Sequence, residues 1–465
     1  MRSDKEKHYR DESGNRSVRE EALEIIYEIN QKGAFANLTL DKSLQRSSLP
    51  LQERNLITEL VNGTIRMQKH LDWVLALFLQ KPLDKQNHWF LNILRMSAYQ
   101  LLFMENIPPY ACINEAVDLT RKKVNSSMAK VANGVLRNLM RQKDKLEYPP
   151  KHEPAYLAVY YAHPDWIVEY YLEEYGWDKT ELILEYNNRR PALEFRCNKL
   201  KTTPEGLVRI LAEEGVDSHI SPFVPWSVII NSLPGPITSL KAYQQGLFYV
   251  QNQASALAVP MLDPQPGEKI IDLCAGVGGK TTHLAEEMNN EGSVLAFDLY
   301  PKKLTILAQN AARLGITIIT SQAADATQIT YGEGEADRVL LDVPCSGLGV
   351  LNRRSDARWH KHQEDLPALL DIQRALLDQA ARMVKKDGLI LYSTCSTLKQ
   401  ENQWQIGAFL ERHRDFRLQP LIDRLHFLPL RDEERKTAAE GMLLLTPGLY
   451  GTDGMFYALL RRLAG

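Results

Sequence analysis

Apolar residues early in the chain recur at helical spacing. Val18, Ala22, Ile25, Ile26 and Ile29 fall on one face of a 3.6-residue repeat, with Ser17 placed to cap it. The same spacing predicts helices over Leu51–Arg66, His70–Gln80, His88–Met104, Ile113–Val124 and Ser127–Met140. Pro82 and the pair Pro108-Pro109 mark breaks between them. No strand-like alternation intervenes, so residues 17–145 read as an all-α domain. Residues 1–16 are polar and charged and read as a disordered tail. Residues 146–164, rich in Pro, Tyr and His, read as a linker. Over 165–239 helices are expected at Trp166–Tyr175, Asp178–Asn187 and Thr203–Glu214, with strands at Ala192–Asn198 and Trp226–Ile230. That order describes a small α+β module.

From residue 240 to 465 the alternation becomes regular. Strands are predicted at Lys269–Leu273, Ser293–Phe297, Thr317–Thr320, Arg338–Leu341 and Leu389–Tyr392. Helices are predicted between them, notably at Thr281–Met288, Lys302–Leu314 and Asp365–Val384. Met455–Leu460 would join as a late strand, for which antiparallel pairing is open. The pattern is that of an α/β, doubly wound, mostly parallel sheet, in which ligands bind outside the carboxyl ends of the strands. Three strand ends are unusually polar. One runs into Asp342, Pro344, Cys345 and Gly347, a second into Thr394, Cys395 and Ser396, and a third into Cys274, Gly276, Gly278, Gly279 and Lys280.

Composition narrows the options only a little. With 56 Lys and Arg against 58 Asp and Glu, the formal net charge is −2, so a nucleic-acid surface must be a local patch. One candidate is Arg121, Lys122, Lys123, Lys130, Arg137, Arg141, Lys143 and Lys145, with Asp144 the one acid between Arg121 and Lys145. A solvated helical face explains the same run. No apolar stretch approaches membrane-spanning length, and the charged opening is not a signal peptide, so a cytoplasmic setting is expected. The five cysteines are scattered, which suits neither a disulfide framework nor a zinc site, and no metal is expected.

A glycine turn between strand and helix can admit a ligand close to the backbone, but dinucleotide enzymes use one too. Lys280-Thr281 suggests a phosphate loop, yet that motif wants glycine where this chain has Cys274. The acids discriminate better. Asp298, about twenty residues past the loop, can take both ribose hydroxyls of an adenosine. Asp325 follows the third strand and can meet the adenine edge or its loop, while Asp342 faces the reacting centre. Singly, each could be a helix cap; together, beside two cysteines, they favour an adenosyl cofactor.

These residues carry a resemblance. Asp342-Val-Pro344-Cys345, Ser393-Thr-Cys395-Ser396 and the loop Cys274, Ala275, Gly276, Val277, Gly278, Gly279, Lys280 closely resemble the RNA cytosine-5 methyltransferases that use S-adenosylmethionine. Gln251–Ser255, Gly349–Trp359 and Gly451–Gly454 extend it. The front half, through Ile107-Pro-Pro109 and Asn133–Arg137, is similar to a NusB-like RNA-binding domain. The pairing resembles the RsmB (Sun/Fmu) subfamily, which implies methylation of one cytosine in small-subunit ribosomal RNA. The chain departs from that pattern at Gly276-Val277, where the family has Ala-Pro, at Val343, where it has Ala, and at Tyr450, where it has His.

The resemblance implies that Cys395 is the nucleophile and that Cys345 acts in product release. Asp342 would hold the N3/N4 edge of the cytosine, and Lys280 would orient that carboxylate or touch the base. The cofactor would lie against residues 274–280 with Asp298, Asp325 and Asp342. A helix expected from Lys399 would favour a Cys395 thiolate through its free N–H groups. Arg353, Arg354, Arg358 and Trp359 are candidates to hold phosphates and stack a base, and Arg189-Arg190 are weaker ones. The expected partner is ribosomal RNA, bound by a monomer with no membrane contact. A non-catalytic RNA-binding or antitermination-type factor with a relic methyltransferase domain, and methylation of another RNA such as tRNA, are the alternatives. A dehydrogenase would leave both cysteine motifs unexplained, and a DNA methyltransferase would leave the front domain unexplained.

Overall fold

Helix Val18–Lys32 starts where its cap predicts, with Ser17 Oγ accepting the Glu20 N–H at 3.2 Å. The computed structural model describes residues 17–46, 49–330 and 332–464, so the tail expected over 1–16 lies outside the described residues. Two compact units share the chain. One runs to Arg189 and takes in Leu351–Lys361, and the other comprises Arg190–Val350 and His362 onward.

The first unit is helical. Helix His88–Phe103, buried without a break from Phe90 to Gln100, is surrounded by Val18–Lys32, Leu51–Arg66, Gln68–Ala76, Pro109–Lys123 and Ser126–Gln142. Two of its buried polar side chains are held by neighbouring helices. Arg95 grips Asp72 through two hydrogen bonds of 2.6 and 2.7 Å, and Asn92 accepts from Asn30 at 2.8 Å. Helix Ala36–Arg46 was not legible in the pattern. Nor was Pro154–Tyr160, which lies inside the expected linker and packs its tyrosines near His70. The two helices expected at 166–187 form one run, Asp165–Asn188, broken at Gly176, where φ is 70° and ψ −179°. This run packs on Pro154–Tyr160 and is compact with the helical unit.

The segment 351–361 is a correction. It was expected to offer Arg358 and Trp359 to RNA, but both are structural members of the helical unit. Arg358 is completely buried and donates to Ala162 O, Asn188 Oδ1 and Asn187 O at 2.8 to 3.0 Å. Trp359 Nε1 donates to Ile65 O at 2.7 Å, and Asp356 accepts the Ala36 N–H at 3.0 Å. Local spacing cannot show that a loop after a strand end is absorbed by a distant helical core. Arg353 is half-buried and Arg354 is exposed.

Among the described residues the twelve strands all lie in the second unit, in two sheets. Strands β1 (Leu193–Cys197), β2 (Asp217–Ile220), β3 (Ser227–Ser232) and β4 (Phe248–Val250) form an antiparallel sheet in the order β2-β3-β1-β4. The strands β2 and β4 were not anticipated, and β4 carries this sheet past residue 239. The larger sheet is built from β5 (Lys269–Asp272), β6 (Ser293–Asp298), β7 (Ile319–Ala323), β8 (Ala336–Asp342), β9 (Val384–Thr394), β10 (Phe416–Leu418), β11 (Met442–Leu445) and β12 (Met455–Arg462). Its order is β10-β12-β9-β8-β5-β6-β7, with β11 also on β12. Strands β7, β6, β5, β8 and β9 are parallel, and β12 is antiparallel to β9, as the late position of Met455–Leu460 allowed. Alternation decides the two faces: Leu340, Leu389 and Leu391 enter one core, and Val339, Leu341, Ile390 and Tyr392 enter the other.

Replacing Arg358 with Ala should strand three buried acceptors and cost about 3 kcal/mol of stability. Arg354→Ala should stay within about 0.5 kcal/mol. Denaturant titration of both variants checks the contrast.

Candidate active site

Strands β8 and β9 pair in parallel with Asp342 opposite Ser393. Both then leave the sheet, and the two cysteine turns emerge side by side, with Cys345 Sγ 2.9 Å from Cys395 Sγ. Asp342 sits just before them. Its Oδ2 meets Lys280 Nζ at 2.6 Å, and its Oδ1 accepts from Ser393 Oγ at 2.8 Å. Lys280 reaches it from the start of helix Gly279–Glu287, on the strand beside β8. The four residues to which chemistry was assigned are therefore brought together. Their electrostatics are unequal. The hydrogen bond with Cys395, burial, and the negative charges of Glu401 and Asp342 push the Cys345 thiol well above its usual range. Either sulfur can be the donor across the Cys345–Cys395 contact.

The helix expected from Lys399 begins only at Gln403, so its N–H groups do not follow Cys395 directly. Turns fill the interval, because Ser396, Thr394 and Asn402 hydrogen-bond to one another there. Asn402 accepts from Thr394 Oγ1 at 2.6 Å and donates to Ser396 O at 2.9 Å. A further close approach fixes Cys395. Its carbonyl accepts the Gly349 N–H at 2.9 Å, and a Cβ on Gly349 would stand 2.2 Å from Gly454 O, so only glycine fits there.

The glycine turn after β5 is shaped by its own acids. Buried Asp272 accepts from Thr281 Oγ1 at 2.7 Å and from the Cys274 N–H at 3.2 Å. Burial pushes its carboxyl up to about 7. Asp298 Oδ2 accepts the Gly276 N–H at 3.0 Å, tying the turn to the end of β6. Gly276 has φ 58°, and the position of its missing Cβ faces open space. An open glycine backbone, beside an Asp298 whose Oδ1 accepts the Tyr300 N–H at 2.8 Å and whose Oδ2 also meets Lys303 Nζ at 3.3 Å, fits an adenosyl cofactor. The half-buried Cys274 side chain packs against the core. Asp325 is exposed and caps its own turn, accepting from Thr327 N at 3.0 Å and Gln328 Nε2 at 2.9 Å. Of the departures, Val343 is buried in the core and Val277 is exposed on the turn. The Tyr450 hydroxyl takes the Arg431 N–H at 3.1 Å and donates to Pro429 O at 3.2 Å.

The supports of the site come from elements that local spacing does not bring near. Arg196, on β1 and fully buried, donates to Glu286 at 2.7 and 3.0 Å, to Thr282 Oγ1 at 3.0 Å and to Gly279 O at 2.6 Å. It thereby anchors the helix that carries Lys280. On β1, Phe195 and Cys197 enter the small sheet's core while Glu194 and Arg196 point the other way, a period-2 split that was readable. The basic run is also less free than it reads. Lys122 meets Glu20 at 2.7 Å, Lys123 meets Glu24 at 2.5 Å and Arg121 meets Asp118 at 2.6 Å. Two of these acids come from the first helix, which linear spacing does not bring near. Lys130, Arg137, Arg141, Lys143 and Lys145 stay exposed.

Two outcomes are expected. Between the ordinary aspartate range and pH about 7 the folded chain holds an Asp272 proton that the unfolded chain has lost, so this group makes stability fall as pH rises through that window and then level off. The melting temperature followed from pH 5 to 8 should therefore slope less in Asp272→Asn (pH values roughly spanning the window). Gly278 has φ 91°, and a Cβ there would lie 2.7 Å from Leu307 Cγ. Gly278→Ala should cost about 1–3 kcal/mol and weaken cofactor binding measured by calorimetry.

Comparison with known proteins places these features. Residues 259–461 match the family described as 16S rRNA methyltransferase RsmB/F, residues 16–141 match the NusB family, and residues 163–237 match the ferredoxin-like domain of RsmF/B-like methyltransferases. The chain is 35% identical to the probable ribosomal RNA small subunit methyltransferase B of Bacillus subtilis (strain 168), over 96% of this chain and 99% of that protein. It is 31% identical to ribosomal RNA small subunit methyltransferase B of Escherichia coli O6:K15:H31 (strain 536 / UPEC), over 96% and 98% of the two. The solved structure of PH0851 is similar at a TM-score of 0.78 and 29% identity, covering 95% of this chain and 98% of that one. A methyltransferase homolog protein from Pyrococcus horikoshii is similar at 0.56 and 28%, covering 66% and 98%. With its paired cysteine turns, its glycine loop and its helical front unit, the chain belongs to the 16S rRNA methyltransferase RsmB/F family.

Proposed function

We propose that this protein methylates C5 of a cytosine in 16S ribosomal RNA through a transient bond between Cys395 Sγ and C6 of the base. The observation that carries the reading is the 2.9 Å approach of Cys345 Sγ to Cys395 Sγ beside the Asp342–Lys280 pair. C5 of cytosine is a poor nucleophile. A thiolate added at C6 makes C5 enamine-like, which allows it to take a methyl group. When bound, S-adenosylmethionine supplies that methyl as an electrophile; Gly276, Gly278 and Asp298 would hold it, with Asp325 at the rim.

The chain's own groups do the rest. Asp342 accepts from the N3/N4 edge of the base and stabilises the protonated ring as C6 is attacked. Lys280 and Ser393 each occupy one of its oxygens and fix its plane, so Lys280 serves as orienter of the carboxylate. Cys345 acts at release: water takes the C5 proton, the freed electron pair re-forms the C5–C6 double bond, and the C6–S pair departs on Cys395 as a thiolate to which Cys345 can hydrogen-bond. The target base must be unpaired or turned out of its stack. Exposed Arg354 and the cluster Lys130, Arg137, Arg141, Lys143 and Lys145 are the phosphate contacts we propose. Among the described residues no helix is long and apolar enough to cross a membrane. We place the reaction in the cytoplasm, with a monomer acting.

Cys395→Ala should form no covalent RNA adduct and no 5-methylcytosine, whereas Cys345→Ala should accumulate the adduct with little turnover. Denaturing electrophoresis of labelled 16S RNA reads both. An adduct that persists without Cys395 and vanishes without Cys345 would exchange the two roles.

A further inference from the structure

Glu401 is completely buried beneath the two cysteine turns. Its Oε1 accepts the Ser346 N–H at 2.8 Å and Gln373 Nε2 at 2.9 Å. Its Oε2 takes Ser346 Oγ at 2.5 Å and also Ser396 Oγ. Both carboxylate oxygens are thus filled by neutral donors. Ser346 follows Cys345, and Ser396 follows Cys395, so one carboxylate grips the residue after each sulfur. The residues before the sulfurs are held by its neighbours. Gln373 Nε2 donates to Pro344 O at 3.0 Å, and Asn402 accepts from Thr394 Oγ1 at 2.6 Å. Beneath them the Tyr392 hydroxyl donates to Glu401 O at 2.6 Å.

We propose that Glu401 is a positioning residue that sets the spacing and orientation of Cys345 and Cys395 for the methyl-transfer cycle. This rests on the roles given above to the two cysteines. Glu401 touches no reacting atom; it acts through Ser346 and Ser396. Regular strand pairing ends at Thr394 and Asp342, and the backbone bonds beyond it, Val343 N–H to Ser393 O at 3.1 Å and Gly349 N–H to Cys395 O at 2.9 Å, leave the residues that follow each cysteine to be held by side chains. A buried, four-donor carboxylate supplies that rigidity, and removing it would leave those donors unpaired.

The test uses the full chain as wild type, Glu401→Ala, Glu401→Gln and Glu401→Asp, with two independent readouts. In the first, diamide oxidises the pair: the two thiols lose two protons and two electrons, a Cys345–Cys395 disulfide forms, and diamide becomes the hydrazine. Mass spectrometry follows the rate without RNA or cofactor. Glu401→Ala should close this bond roughly tenfold more slowly and should lose roughly 10²-fold in kcat, with KM for RNA and S-adenosylmethionine within about twofold. Gln should restore most of both, because its carbonyl can serve Ser346 N and Gln373 while its amide donates to the two hydroxyls. Wild-type closure and kcat in Glu401→Ala would overturn the assignment. Should Ala fail to fold, Asp, which keeps the charge on a shorter arm, must show the kcat loss at unchanged KM, and wild-type kcat in a folded Asp chain overturns it equally. A wild-type chain that makes no 5-methylcytosine sinks the proposed function, while the disulfide rates still judge the brace.

Discussion

The in-register parallel pairing of β8 and β9 is the constraint on which the site depends. It sets Asp342 against Ser393, and Cys345 then follows after two intervening residues and Cys395 after one. Because side chains alternate along a strand, a slip of one residue would turn Asp342 and Ser393 to opposite faces and exchange the two cores. Val339, Leu341, Ile390 and Tyr392 on one side, and Leu340, Leu389 and Leu391 on the other, are all buried, so such a slip would expose none of them to water but would misfit every one. The hydrophobic pattern that makes the sheet also fixes the chemistry at its end.

Around that pairing the unit is held by buried polar groups rather than by apolar packing alone. Arg196 and Glu286 form a pair in which both side chains are almost fully removed from water. Such a pair is stabilising only when its remaining hydrogen bonds are made, and here Thr282, Gln251 and Gly279 supply them. The consequence is architectural. The small antiparallel sheet and the glycine turn are one mechanical body, because the same guanidinium that rises from β1 clasps the first turn of the cofactor helix. Glu401 plays the corresponding part beneath the cysteines, where neutral donors replace the cation.

The helical unit shows the opposite fate for charged residues. Arg358, two residues past Asp356, caps carbonyls at the end of helix Asp165–Asn188, and Trp359 lies on Ile65. A chain that leaves the Pro-Cys turn and is then built into the helical core has little freedom of its own. Arg354 keeps its side chain exposed, as do the basic residues of helix Ser126–Gln142 that helix Val18–Lys32 does not neutralise.

What the linear chain determined by itself was everything carried by local period and by turn chemistry. The 3.6-residue stripe gave the front helices, the short apolar runs gave the five parallel strands, and the polar residues at strand ends marked Asp342, Cys345, Cys395 and Lys280 as neighbours. Of the edge strands, β2 (Asp-Ser-His-Ile) is too polar and β4, at three residues, too short to signal itself. Tertiary structure alone decided which charges are paired, because Glu20, Glu286 and Glu401 meet partners that folding brings from elsewhere in the chain. It also decided that Arg358 and Trp359 are core and not contact surface. A side chain's period reports which face of its own element it occupies; only the packing of elements says what lies opposite that face.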